Sequence, residues 1–285
     1  MRSLELTERV RARLDGLRPD RRLLEAAESL RGATALEPGG PSALFEAGGA
    51  VPVYPVLAAL DTLDYAERTL WSDAPRTGPQ PAVPLRHQLI GEAGALDVAD
   101  DTYDAVISSH VLEHLANPLG ALAEWRRVVR PGGHVLLIVP HRDSTFDHRR
   151  PVTTLGHLRD DAARDTPEHD LTHIEEILEL HDLERDPGAP SRAVFEQRCR
   201  EVADTRALHH HVFVSRTVAE ACSAAGLEVT LLRPKRPLNI VCVCRVGGER
   251  GSAPSDSELR RIERRSPFPS DRSRARRPSG SGAHG

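Results

Sequence analysis

Apolar and polar positions between residues 103 and 140 predict a strand, a helix and a second strand. The first strand covers Asp104 to Ser109 and leads into a polar, acidic turn. Asn117 can cap the helix, Pro118 suits its first position, and a Pro-Gly-Gly turn ends it. His134 to Val139 is an apolar, β-branched run, as expected of a buried strand. This βαβ unit predicts a parallel sheet whose ligands gather at the carboxyl ends of its strands.

Similar patterns predict further elements on both sides of this unit. They are strands at Ala33 to Glu37, Val56 to Asp64, His87 to Ile90, Leu227 to Leu232 and Ile240 to Val246, and a helix from Ser215 to Gly226. Residues 1–31 carry helical periodicity and are interpreted as an N-terminal helical extension. Residues 141–214 are rich in His, Asp and Arg, and we interpret them as an insertion that caps the domain.

Residues 247–285 are dominated by Gly, Ser, Pro and Arg, with few apolar positions. A segment of this composition buries too little apolar surface to offset the entropy lost on ordering, so it is predicted to be disordered. The segment has nine arginines and five acidic residues, and this excess of positive charge makes contact with nucleic acid an alternative interpretation. We favour a solvated tail, so nucleic acid is not an expected partner.

Composition narrows the class of protein further. The net charge is −4, and no apolar run approaches the roughly 20 residues of a membrane span. The first residues lack the continuous apolar stretch of a signal peptide, so the cytoplasm is the expected compartment. The four cysteines have no CxxC spacing and are interpreted as reduced core thiols. The strong preference for Arg over Lys is typical of a GC-rich bacterial genome, and the oligomeric state is left open.

The stretch 103–140, with its SSHVLEH turn and RVVRPGG segment, closely resembles the second half of class I S-adenosylmethionine (SAM)-dependent methyltransferases of the type 11 kind. The resemblance implies a doubly wound, Rossmann-like α/β domain over 32–246, with a seven-stranded, mostly parallel sheet and a helical, loop-rich cap at 141–214. It implies SAM as cofactor and methyl transfer to a polar small molecule or glycan precursor. A SAM-binding protein without turnover, with a regulatory or binding role, is the alternative. A nucleotide-dependent Rossmann enzyme is disfavoured because no G-x-G-x-x-G occurs.

The first strand runs into Pro-Gly-Gly-Pro, a turn that lets the backbone approach a ligand. A tight structural turn explains these residues equally well from chemistry alone. By the resemblance, Gly39 and Gly40 belong to the cofactor loop, and Glu37 is the acid that ends the first strand. Asp64 is placed to accept both ribose hydroxyls, with Asp61 as a competitor and helix capping as the other reading.

The segment GEAGALDVADDTYD aligns without gaps on the family's adenine-binding region. By the resemblance, Glu92 accepts from the adenine amino group and Ala93 borders the ring. A surface acid in a loop is the alternative for Glu92. His110 follows the fourth strand, where the family places the methionine part of SAM, and Glu113 is interpreted as structural.

Histidines crowd the cap and lie where the family covers its acceptor. We expect His110, His148 and His210 to be the catalytic groups, converging on the strand ends as bases or hydrogen-bonding groups. Arg149 and Arg150 are candidates to hold a carboxylate or phosphate of the substrate. A structural network is the second interpretation and a divalent metal the third, so no metal is expected.

Overall fold

The computed structural model describes residues 20–69, 81–186, 188–247 and 251–276. Its centre is a seven-stranded sheet in the order β3-β2-β1-β4-β5-β7-β6. Strands β1 to β5 are mutually parallel, whereas β7 runs antiparallel to both β5 and β6. The expected doubly wound, mostly parallel α/β fold is therefore confirmed. Residues 1–19 of the predicted N-terminal extension (1–31) lie outside the described residues.

The elements follow one another along the chain with these bounds. The strands are β1 Thr34–Pro38, β2 Ala59–Asp64, β3 Leu85–Ile90, β4 Tyr103–Ser109, β5 Val129–Pro140, β6 Glu228–Lys235 and β7 Asn239–Arg245. The helices are α1 Arg21–Glu28, α2 Pro118–Val128, α3 Leu155–Arg164, α4 Ile174–Leu180, α5 Arg192–Arg200, α6 Val202–Thr205, α7 Ser215–Ala224, α8 Asp256–Arg265 and α9 Pro269–Ala275.

The β4–α2–β5 unit forms as its sequence predicts. The Asn117 side chain accepts a hydrogen bond from the Gly120 amide at 2.9 Å, and Pro118 occupies the first helical position. Alternate residues of β5 are buried in two different apolar clusters, with Leu137 in one and Leu136 in the other. Both faces of the sheet are therefore covered, which explains the continuous apolar run in β5.

The four cysteines are free thiols and all are buried, as expected. Cys242 and Cys244 of β7 point to one face, with their sulfur atoms 3.8 Å apart. Cys222 of α7 packs against this face, with its sulfur atom 3.9 Å from that of Cys242. They form part of the apolar core between the sheet and α7. Among the described residues, the helices are all too short or too polar to cross a bilayer.

The prediction that residues 247–285 are disordered is wrong for 251–276, which form α8 and α9. Leu259 and Phe268 are buried, so this polar segment still carries enough apolar side chains to dock. Asp271 is fully buried, and its carboxylate accepts hydrogen bonds from the hydroxyls of Ser215 and Ser266, both at 2.6 Å. Residues 248–250 and 277–285 lie outside the described residues.

Replacing Asp271 with Asn should lower the free energy of unfolding by ~2 kcal/mol. The carboxylate accepts charge-assisted hydrogen bonds in a buried site, and the amide cannot replace all of them. Asp256→Asn is the matched control, because that side chain is 55% exposed and solvent screens its ion pairs, so its replacement should change stability little. Urea denaturation measures both, and equal small losses would show that α8 and α9 do not dock.

Candidate functional site

A cleft of about 880 Å³ opens at the carboxyl ends of the parallel strands. Each of the strands β1 to β5 contributes its last residue or the turn that follows it, because parallel strands end at the same edge of a sheet. Of the predicted site residues, those that line this cleft are Gly39, Asp64, Glu92, Ala93 and His110. The cap supplies the opposite wall, including Phe146, Glu168 and His209.

The turn after β1 is shaped by Gly39 and supported by Glu37. Gly39 has a φ of +74°, and a side chain there would collide with Val111. The buried carboxylate of Glu37 accepts from the Tyr54 hydroxyl at 2.6 Å and from the Ser42 amide at 2.9 Å. Burial, together with the nearby Glu37 carboxylate, raises the pKa of Tyr54, so the phenol keeps its proton. Through these two hydrogen bonds, the buried Glu37 carboxylate stabilises the conformation of the turn.

Glu37 and Gly40 are absent from the described residues that line the cleft, contrary to their predicted role as cofactor contacts. A Cβ at Gly40 would occupy the space of the Glu37 carboxyl group. The lack of a side chain at Gly40 therefore makes room for the acid that supports the turn. Both residues act on the cleft through the shape of the loop.

The structure separates the two candidate acids of β2. Asp64 ends the strand and lines the cleft. Asp61 is buried, accepts from Arg86 Nε at 3.0 Å and from the Tyr103 hydroxyl at 2.9 Å, and so joins β2 to its neighbours. Although burial raises the pKa of Asp61, its bonds to Arg86 and Tyr103 outweigh burial and lower it. Of the two acids, Asp64 is therefore the one that lines the cleft.

Glu92 faces the cap across the cleft. Its carboxylate pairs with Arg206 at 2.6 Å, and Arg206 lies 3.3 Å from Glu168. The Tyr65 ring lies under the Arg206 guanidinium at 5.4 Å, and the Tyr65 hydroxyl donates to the carbonyls of Asp204 and Thr205. The segment after α6 is thereby tied to the sheet side of the cleft.

His110 directly follows β4 and has a left-handed backbone conformation, with a φ of +55°. Its amide donates to the Ile138 carbonyl at 2.8 Å, so the turn remains anchored to β5. The ring Nε2 lies 3.1 Å from Asn239 Oδ1. This turn places His110 in the lining of the cleft.

Three further groups converge beside His110, namely Glu113, His114 and His209. Glu113 is 1% exposed, and neither of its carboxylate oxygens has a hydrogen-bond partner. Burial raises the pKa of Glu113, while His110 and His209 oppose that rise. Burial holds the pKa of His114 well below its usual range, and its Nδ1 lies 3.1 Å from the Leu208 carbonyl oxygen.

His209 is oriented by a buried carboxylate. Its Nδ1 lies 2.6 Å from Asp147 Oδ2, and Asp147 also pairs with Arg150 at 3.1 Å. Burial raises the pKa of Asp147, but His209 and Arg150 outweigh burial and lower it, so the group is an anion. The Nδ1–H of His209 therefore donates to Asp147, so Nε2 is the ring nitrogen that this bond does not use.

Two predicted catalytic histidines and one predicted substrate-binding arginine lie elsewhere. His148 Nε2 lies 2.9 Å from Asp182, and His148 and His210 are both absent from the described residues lining the cleft. His210 is buried, and its Nε2 has no hydrogen-bond partner. Arg150 is 2% exposed and bonded to Asp147 and the cap backbone, so it is a structural group.

His148 and His210 each adjoin a member of the Asp147–His209 pair, of which His209 lines the cleft. Asp147 precedes His148, and His209 precedes His210, so neighbouring positions were indistinguishable without the backbone direction. The bridge of Arg206 to Glu92 joins residues 114 positions apart, and local sequence carried no signal for it.

Comparison with known proteins places residues 53–137 in the methyltransferase domain family. An uncharacterised 37.1 kDa protein in a transposon of Streptomyces fradiae is 31% identical over 128 residues, covering 44% of this chain and 36% of that protein. A demethylmenaquinone methyltransferase of Renibacterium salmoninarum is 41% identical over 66 residues, or 23% of this chain and 27% of the relative. The matched region thus spans well under half the length of these curated relatives.

Among solved structures, a SAM-dependent methyltransferase from Aquifex aeolicus is 15% identical. The match covers 82% of this chain and 93% of that protein, with a TM-score of 0.43.

Replacing His210 with Phe should make stability less dependent on pH. Burial lowers the pKa of His210 to about 4, whereas the unfolded chain takes up the proton near 6.5. The stability that neutral His210 contributes is therefore complete above pH 6.5 and is lost as the pH falls towards 4. Relative to the native chain, the variant should gain roughly 2 kcal/mol between pH 7 and pH 5.

Chemical denaturation at the two pH values measures this gain. The control is His169→Phe, because His169 is exposed and its replacement should give the same difference at both pH values. An unchanged pH profile in the His210 variant would contradict the buried, neutral state of this imidazole.

Proposed function

We propose that this chain, a class I SAM-dependent methyltransferase by family, transfers the methyl group of SAM to a polar small molecule or glycan precursor bound under its cap. The observation that carries the proposal is the division of the cleft. Asp64 and Glu92, after β2 and β3, line one part, and His110, Glu113 and His209 line another, with Asp147 bonded to His209 from behind. A volume of about 880 Å³ is ample for a cofactor together with a small acceptor.

SAM is the cofactor of this family, and the residues present fit it. Asp64 offers a carboxylate to the ribose hydroxyls, and Glu92 offers one to the adenine amino group. Gly39 lines the cleft and has no side chain, so a ligand can approach its backbone closely. Bound SAM supplies an activated methyl group on its sulfonium.

The protein's part in such a transfer is to position two reactants and to move a proton. Methyl transfer is an in-line displacement, so positioning contributes much of the acceleration. Where the acceptor is a hydroxyl or an ammonium group, His209 Nε2 takes its proton, and Asp147 stabilises the imidazolium that results. The fully buried Glu113 adds negative charge beside that imidazolium when it is ionised.

The cap side of the cleft favours a polar acceptor. Its lining includes hydroxyl and charged groups that can hydrogen-bond to a sugar or a similar molecule, namely Ser144, Thr145, Arg185, Asp186 and Arg198. Phe146 lies beside His209, with ring centroids 4.6 Å apart, and adds an apolar surface for the acceptor's carbon skeleton. Both features suit a hydroxylated molecule with a modest apolar face.

Replacing Asp64 or Glu92 with Ala should weaken SAM binding about tenfold or more, because each loses a charge-assisted hydrogen bond worth ~1.5–3 kcal/mol. Asp97→Ala is the control, since this exposed acid of the same loop lies away from the cleft. Calorimetric titration with SAM gives the affinities. Unchanged affinity in both variants would remove the cofactor assignment.

Replacing His209 with Gln, or Asp147 with Asn, should lower the transfer rate ~100-fold or more while SAM affinity holds. The measurement is transfer of radiolabel from methyl-labelled SAM into a deproteinised bacterial metabolite extract. His148→Ala is the matched control, because its imidazole is bonded to Asp182 away from the cleft. Full transfer by the His209 variant would exclude it as the base, and SAM binding without any transfer by the native chain would favour the SAM-binding alternative.

A further inference from the structure

A second cluster of ligating side chains lies in the cap, apart from the described residues that line the cleft. His157 and Asp161 stand one turn apart on α3 and share a face of the helix. His211 approaches them from the segment before α7, and one ligating atom from each of the three lies within 4.8 Å of the others. His173, at the start of α4, adds a fourth group beside His157.

Hydrogen bonds within the protein do not satisfy this cluster. Asp161 Oδ2 is buried and lies 3.1 Å from His157 Nε2 and 3.8 Å from His211 Nε2, yet it has no hydrogen-bond partner. Nδ1 of His211 is also buried without a partner. The two Nε2 atoms of His157 and His173 lie only 3.0 Å apart. A buried carboxylate oxygen left unpaired among imidazole nitrogens is costly unless a cation joins them.

Neighbouring residues orient the side chains of the cluster by bonding to the atoms that do not face the other ligands. The other oxygen of Asp161 accepts from Arg164 at 2.8 Å and from the Thr166 hydroxyl at 3.2 Å, so Oδ2 is the oxygen left for a ligand. The Nε2–H of His211 donates to the Ala116 carbonyl oxygen at 3.3 Å, which leaves the partnerless Nδ1 as the nitrogen for a ligand. Carboxylate and carbonyl partners of this kind fix the ligands of metal sites.

We propose that His157, Asp161 and His211, with His173 as the fourth ligand, bind a divalent transition-metal ion of the zinc type. Zinc bonds of about 2.0–2.1 Å in a tetrahedron place neighbouring ligand atoms roughly 3.3 Å apart. His157 Nε2 lies at a similar distance from Asp161 Oδ2, at 3.1 Å, and from His173 Nε2, at 3.0 Å. Three imidazoles and one carboxylate suit zinc better than magnesium, which prefers oxygen ligands.

The position of the cluster gives the ion a structural role. It would join α3, the start of α4 and the strand-like segment that carries His209 two residues away from His211. The ion would thereby fix the cap in the arrangement that presents His209 to the cleft. The buried thiols of Cys222, Cys242 and Cys244 lie in the apolar core beneath α7, so they serve packing.

The test is zinc binding by the full chain after dialysis against a chelator, followed with a competing chromophoric chelator. One equivalent of Zn²⁺ should bind, thermal stability should rise with it, and Mg²⁺ should not compete. His157→Ala and Asp161→Ala should each weaken zinc binding about 100-fold or more, since even the loss of an outer-shell partner costs 10–100-fold at known sites. His169→Ala, in an exposed histidine of the same cap, should bind as the native chain does.

X-ray absorption of the zinc-loaded native chain keeps the proposal testable if a variant fails to fold. Nitrogen and oxygen neighbours with imidazole scattering are the expected result. Sulfur neighbours would assign the ion to the cysteines and overturn the proposal. It would be overturned equally by the absence of stoichiometric binding, by native affinity in the folded His157 and Asp161 variants, or by an equal loss in His169→Ala, which would identify adventitious surface binding.

Discussion

The buried guanidinium of Arg150 is the constraint on which the cap depends. It is 2% exposed and bonds to Asp147, to Glu176 of α4, and to the backbone carbonyls of His209 and His210. One side chain thus joins the loop after β5, α4 and the segment before α7. Removing one partner of such a buried network costs about 3–5 kcal/mol, because it leaves a charge without compensation. The placement of His209 in the cleft follows from these bonds.

The division of labour in the molecule follows from the sheet. Parallel strands bring their carboxyl ends to one edge, so Gly39, Asp64 and Glu92 meet although they are far apart in sequence. The sheet side therefore forms the part of the cleft assigned to SAM, and the cap side carries the groups assigned to the acceptor. Arg206 connects the two sides through its bridge to Glu92. A fold of this kind can change acceptor by changing the cap while the cofactor side is kept.

The fold could be predicted from sequence where local signals agree. Residues 103–140 combine a cap, a helix stop and two apolar strands, and each feature acts over a few residues. Docking of residues 251–276 could not be read from composition, because it depends on Leu259, Phe268 and Asp271 meeting partners distant in the chain. The site shows the same limit. The position of Asp64 at a strand end and beside the cleft follows from the local pattern, whereas the pairing of Asp147 with His209 depends on the path of the cap.

The central claim is that the sheet side of the cleft binds the cofactor and the cap presents a base to its reacting end. A crystal structure of the full chain with S-adenosylhomocysteine tests it most directly. The account predicts adenosine beside Asp64 and Glu92, with the sulfur facing His110 and His209. A sulfur atom more than ~10 Å from the His209 imidazole would contradict the account, because a base must reach its proton directly or through one water.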